Sequence, residues 1–231
     1  MISINNLKKQ YGEVTAVDIQ GLSIPQGESF GLVGNNGAGK TTLFRMILDL
    51  IRPTNGTVIS KEENVAQSEN WKAYTGSYLD EGFLIGYLTP DEYFYFVGGL
   101  HGLNKAEVDE RLTPYDEVFN GEIRGVKKYI RDLSKGNQKK VGITAALIIN
   151  PEVVILDEPF ANLDPTTQIR LKKVLREFHE QKGVTLLISS HDLNHITEVC
   201  KRIVVLEKGN IVKDIATNET TLKDLESYFA V

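Results

Sequence analysis

The chain has 231 residues, of which 41% are hydrophobic and 25% charged, and a formal net charge of −5. That balance describes a globular protein with a sizeable core, and it excludes the basic surplus expected of a nucleic-acid binder. The single cysteine, Cys200, excludes an internal disulfide and a thiolate zinc cluster, and reads as an inert, half-buried thiol.

The start of the chain, Met1-Ile-Ser-Ile-Asn-Asn-Leu-Lys-Lys, lacks the apolar run of a signal peptide. No stretch approaches the roughly 20 apolar residues that a spanning helix needs. A cytosolic protein is therefore expected, and work at a membrane would require another protein to hold it there. No repeat or low-complexity segment interrupts the chain. Ile2–Ile4 alternates as a strand does, and Val14–Ile24 is β-leaning up to a turn at Pro25-Gln26-Gly27. Ser29–Val33 is an apolar run that stops abruptly at a glycine-rich segment. Leu43, Met46, Ile47, Leu50 and Ile51 then recur at helical spacing, which predicts a helix running until Pro53 stops it. Asn55-Gly56 predicts a tight hairpin turn into Thr57-Val58-Ile59.

From about Thr89 to Asn150 the character is helical. Pro90-Asp91-Glu92 suits a helix start, and Glu107–Leu112 and Val126–Arg131 continue the pattern. Strand signals return at Val153–Leu156, Thr185–Ile188 and Ile203–Leu206, with helices between them. Strands alternating with helices predict an α/β fold with a mainly parallel sheet covered on both faces, carrying a helical insertion.

Gly34-Asn35-Asn36-Gly37-Ala38-Gly39-Lys40-Thr41 fits the phosphate-loop pattern G-x-x-x-x-G-K-[ST]. Such a loop must wrap an anion without side chains in the way, and Gly34, Gly37 and Gly39 permit positive φ and close approach. Successive N–H groups then converge on a phosphate at a helix N-terminus. Lys40 would reach the β- and γ-phosphates, and the Thr41 hydroxyl would ligate Mg²⁺. The apolar strand before the loop and the amphipathic helix after it supply the context that this chemistry requires.

Val153–Leu156 leads into Asp157-Glu158-Pro159, a buried strand that delivers two carboxylates at its C-terminal end, where α/β sheets bind ligands. Asp157 suits the Mg²⁺ shell, and Glu158 suits the polarisation of an attacking water. His191 follows the Thr185–Ser190 strand. On its own, such a histidine is more often structural than catalytic.

At this point the residues resemble an ATP-binding cassette (ABC) ATPase over nearly the whole chain. Leu133-Ser134-Lys135-Gly136-Asn137 is similar to that family's signature LSGGQ, and Gln138-Lys139-Lys140 follows it. Ala161-Asn162-Leu163-Asp164 resembles the D-loop, and Ser189-Ser190-His191-Asp192 the switch-histidine segment. The resemblance implies a P-loop NTPase core with an N-terminal antiparallel β subdomain and an inserted helical subdomain. Residues 1–84 and 151–231 would form the core and residues 85–150 the insertion, all within one ABC domain. It implies a Mg²⁺-dependent ATPase that binds ATP through Gly34–Thr41 and Thr42, with Tyr11 stacking on adenine.

The resemblance also implies partners. Two cassettes, identical or closely related, would pair head to tail around two ATPs. Ser134, Lys135, Gly136 and Asn137 would then face the ATP of the other subunit, with Asp164 helping to complete that site. His191 would contact the γ-phosphate beside Glu158 and Lys40. The family's Q-loop glutamine falls on Asp80, one methylene shorter than Glu, which suggests contact with Mg²⁺ through water. Lys135 and Asn137 replace Gly and Gln of the signature, while Ser134 and Gly136 are intact.

The leading expectation is the ATP-hydrolysing subunit of an ABC exporter, cytoplasmic and held on the inner face of the membrane by a multispanning permease. Asp80-Glu81-Gly82-Phe83-Leu84 resembles the acidic Q-loops paired with ABC-2-type exporters. The Asp80–Tyr95 region would meet the permease, although most aromatics between Phe83 and Tyr95 equally suit the core of the insertion. A soluble ABC machine of translation or DNA repair usually carries two cassettes, a long coiled-coil insertion or zinc modules, which this chain lacks. A non-hydrolysing ATP-gated module is disfavoured by Glu158 and His191, and no nucleic-acid partner is expected.

Overall fold

The computed structural model describes residues 1–230. Strands β1 (Ile2–Tyr11), β2 (Val14–Ile24) and β3 (Ser29–Val33) open the chain, and helix α1 (Lys40–Ile47) follows the glycine-rich segment. Next come β4 (Asn55–Ser60), β5 (Glu63–Asn64), α2 (Trp71–Tyr74) and β6 (Thr75–Tyr78). Helices α3 (Pro90–Leu100), α4 (Lys105–Leu112), α5 (Asp116–Phe119) and α6 (Lys135–Ile148) form the insertion. The chain then alternates through β7 (Val153–Asp157), α7 (Pro165–Lys182), β8 (Thr185–Ser190) and α8 (Leu193–Val199). It closes with β9 (Arg202–Glu207), β10 (Asn210–Ala216) and α9 (Thr221–Phe229).

Two sheets result. One is antiparallel in the order β2-β1-β4-β5, and the other runs β10-β9-β3-β8-β7-β6. In the second sheet every pairing from β9 to β6 is parallel, and only β10 is antiparallel. β3, β7 and β8 are buried at every position, as strands covered on both faces must be. Their apolar side chains separate into two clusters. Phe30, Leu32, Ile155 and Leu187 pack with the antiparallel sheet and α1, while Val33, Val154, Leu156 and Ile188 pack with the inserted helices. Phe94 and Phe119, ring centroids 5.9 Å apart, anchor the insertion. α/β order with an antiparallel subdomain and an inserted helical segment is thus the observed architecture.

Local chemistry departs from the sequence expectations at three places. α1 ends at Ile47 rather than continuing toward Pro53, because Asp49 turns left-handed at φ 50°. The Asp49 N–H then donates to the Met46 carbonyl (3.1 Å) and the Leu50 N–H to that of Arg45 (2.8 Å). This is a Schellman end made without glycine. Asn55-Gly56 is not a hairpin turn but the start of β4, with Asn55 opposite Lys8 across a bulge in β1. A Cβ on Gly56, at φ 83°, would run into the Asn6 carbonyl there. Within Val126–Arg131 no α-helix forms. Ile130–Asp132 is a single 3₁₀ turn, after an extended Tyr129.

Pro90 does open a helix, with Thr89 and Glu92 forming a reciprocal capping box. Cys200 is fully buried rather than half-buried, and burial holds its thiol in the protonated form.

Candidate functional site

The C-terminal ends of β3, β8 and β7 lie side by side, and each delivers part of one polar cluster. The loop after β3 is pinned at both ends. Added Cβ atoms on Gly34 and on Gly39 would collide with the Leu206 and Ala16 carbonyl oxygens. Gly37 and Gly39 adopt φ of 82° and 110°, values that L side chains resist. Gly39 caps α1, so the loop leads straight into a helix N-terminus. A cavity of about 210 Å³ opens there, lined by Ala16, the loop from Asn36 to Thr42, and Glu158. A larger one of about 530 Å³ lies between α4, α6 and α7. It shares no residue with the loop.

Lys40 is buried, and its ammonium donates to the Gly34 carbonyl at 2.6 Å and lies 3.5 Å from Glu158 Oε1. The Thr41 hydroxyl donates to Asp157 Oδ2, and the Ser189 hydroxyl donates to Asp157 Oδ1. Register explains the second contact, since Asp157 pairs with Ser189 across β7 and β8. Burial raises the Asp157 carboxyl above its usual range, against the stabilising hydrogen bonds from Ser189 and Thr41.

Among the described residues no three His, Cys, Asp or Glu side chains cluster as a metal site. A hydroxyl beside one carboxylate instead fits a Mg²⁺ that keeps most of its waters and binds substrate phosphates.

Glu158 sits one residue past β7 in the left-handed region, φ 48°. Its N–H donates to Ser189 Oγ (3.0 Å), and its Oε2 lies 2.9 Å from His191 Nδ1. The structure thus assembles Lys40, Thr41, Asp157, Glu158 and His191 into one cluster. Asp80 makes none of these contacts. Asp80 Oδ1 accepts the Gly82 N–H at 2.7 Å, and Oδ2 pairs with Arg45 at 3.3 Å. Tyr11 is half exposed at the end of β1, with the Lys9 ammonium 5.0 Å from its ring centroid.

The segment Ser134–Asn137 lines no part of the loop cavity. Ser134 caps α6 by accepting the Asn137 N–H at 3.2 Å. Lys135 is exposed, 3.9 Å from Glu81. Gly136 faces the Asn162 carbonyl so closely that a Cβ would sit 2.9 Å from it. Asp164 caps α7 through the Thr167 N–H (3.0 Å) and hydroxyl (2.6 Å). Those bonds hold its carboxyl below the usual range.

Three participants carried no sequence signal of their own. Ser189 needed the β7–β8 register, and Arg45 needed the segment after β6 to bring Asp80 to α1. Lys139, which donates to the Glu158 carbonyl at 2.7 Å, read as one of two adjacent lysines on a helix.

A family model described as "ABC transporter" matches residues 17–161. The bacitracin transport ATP-binding protein BcrA of Enterococcus faecalis is 35% identical over 95% of this chain and 70% of its own length. The methionine import ATP-binding protein MetN of Carboxydothermus hydrogenoformans is 33% identical over 93% of this chain and 66% of its own. Among solved structures, the dimeric bacterial ABC transporter cassette MJ0796 superposes with a TM-score of 0.83. It is 25% identical, covering 94% of this chain and 99% of that one.

Proposed function

Because the chain belongs to the ABC transporter ATP-binding family, whose cassettes are ATPases, we propose that it hydrolyses Mg·ATP to drive a separate membrane permease, in the direction of export. The observation that carries the hydrolytic part is Glu158, placed between the Lys40 ammonium and His191 at the mouth of the phosphate loop. The loop N–H groups and Lys40 bind the phosphates, with Tyr11 against adenine. Thr41 and Asp157 would hold the metal, which would supply charge neutralisation and polarise the γ-phosphate. Glu158 polarises the attacking water and His191 orients it. Asp80 acts with Arg45, because it pairs with that guanidinium and contacts none of Thr41, Asp157, Glu158 and His191.

Ser134 and Gly136, at the start of α6, serve the ATP of a second cassette, with Lys135 and Asn137 beside them and Asp164 at the seam. A dimer of MJ0796 supports that pairing. Residues 85–150 act as a helical subdomain on a core made by residues 1–84 and 151–231. No helix among the described residues is long and apolar enough to cross a membrane. A permease touching the Asp80–Tyr95 region holds the protein on the inner membrane face.

The likeness to BcrA and the acidic segment Asp80-Glu81 favour export, whereas the likeness to MetN favours import. Membrane extraction tests the assignment, and recovery of the chain without any multispanning protein overturns it. ATP added to inverted vesicles of the pair decides direction. Solute accumulating inside them supports export, and solute leaving them supports import.

A further inference from the structure

Lys139 is a charged side chain that the fold buries, at 5% exposure, with no carboxylate in contact. Its ammonium donates to two main-chain carbonyls, Glu158 O at 2.7 Å and Ala161 O at 2.9 Å. These belong to the turn that follows β7, so a residue of α6 grips the backbone carrying the general base. Burying an ammonium costs several kcal/mol before any compensation. Apolar packing against α6 would be obtained more cheaply with a leucine. The turn itself is held against its own preference, because Glu158 occupies the left-handed region without being glycine. Its N–H is fixed from β8 by Ser189, and its carbonyl accepts from Lys139 and from the Ala161 N–H at 3.3 Å.

We infer that Lys139 is a positioning residue for ATP hydrolysis, fixing the backbone turn that aims the Glu158 carboxylate at Lys40 and His191. The inference rests on Glu158 being the general base. It also ties that base to α6, whose N-cap is Ser134. Lys139 donates to the turn after β7 and not to the phosphate loop, so its loss should act on turnover rather than on nucleotide affinity.

Steady-state phosphate release by the purified full chain tests this with Lys139→Met, Lys139→Arg and Glu158→Gln. Lys139→Met is expected to lower kcat by about ten- to a hundredfold, the cost of a misplaced catalytic group, with KM for ATP within about twofold of the parent. Lys139→Arg keeps donors for both carbonyls and should restore most of kcat. A Met variant with parental kcat overturns the inference, and so does an Arg variant as slow as the Met variant. Where Met impairs folding, Lys139→Ala replaces it under the same criteria. Glu158→Gln at parental turnover would instead overturn the assignment of the base, whatever Lys139 does.

Discussion

His191 Nδ1 lies 2.9 Å from Glu158 Oε2, although the two side chains leave the ends of different strands, β8 and β7. The pairing follows from adjacency in the sheet, where Asp157 stands opposite Ser189. One residue beyond that pair, Glu158 turns left-handed and its carboxylate meets the imidazole. Glu158 also approaches Lys40, so a carboxylate, an imidazole and an ammonium share one small volume. Their arrangement matches a water-activating role better than a purely structural one, because His191 stays half exposed on the loop after β8.

Glu158→Gln keeps the size of the side chain and removes its basicity. ATP binding should persist, and phosphate release should fall by at least about a hundredfold, the usual contribution of a positioned base. ATP should then accumulate a dimer on gel filtration. Hydrolysis at the parental rate would remove Glu158 from the mechanism.

His191→Ala should reduce kcat by about ten- to a hundredfold, again within the range of one positioned proton-transfer or orienting group. Nucleotide affinity should stay near that of the parent, since His191 does not line the loop cavity. A large loss of affinity with kcat intact would place His191 in binding rather than in hydrolysis.

Gly39→Ala and Gly183→Ala make a controlled pair. Both glycines have positive φ, but a Cβ on Gly39 strikes the Ala16 carbonyl while one on Gly183 meets nothing within 4 Å. Gly183→Ala should cost about 1 kcal/mol in stability, the left-handed penalty alone, and leave ATP binding unchanged. Gly39→Ala should shift the loop and abolish detectable binding of a fluorescent ATP analogue. Equal binding by the two variants would contradict the pinned-loop account.

Asp80→Asn should leave the apparent Mg²⁺ affinity within about threefold, short of the ten- to a hundredfold that loss of an outer-shell metal partner costs. Thr41→Ala should exceed that range. The Arg45–Asp80 pair is 40% and 43% exposed, so its loss should cost under about 1 kcal/mol in urea denaturation. A strongly raised Mg²⁺ requirement in Asp80→Asn would return Asp80 to the metal.

Features set by contiguous residues were legible in the sequence. Gly34–Thr41 announces itself because a phosphate cradle needs glycines at fixed offsets, and Asp157-Glu158 because a buried apolar strand must end somewhere polar. Long-range register was not legible. Ser189 and Arg45 acquire their partners only when β8 lies against β7 and the segment after β6 brings Asp80 to α1. The early end of α1 was hidden because Leu50 and Ile51 still keep helical spacing after Asp49 has closed the helix. Gly136 was readable as a phosphate contact, but its tight fit against Asn162 depends on α6 reaching the turn after β7.

The position of β8 between β3 and β7 also bears on synthesis. The glycine-rich loop and the Asp157-Glu158 pair are both complete once residue 158 has left the ribosome, yet the strand that must separate them ends at Ser190. Until then no strand bridges β3 to β7, and the sheet can close only by inserting a late segment into its middle. Such non-local closure is slow compared with forming helices. A nascent chain halted before Thr185 should therefore show the antiparallel subdomain and α1 but fail to retain nucleotide, and capacity for ATP should appear in one step rather than grow with length.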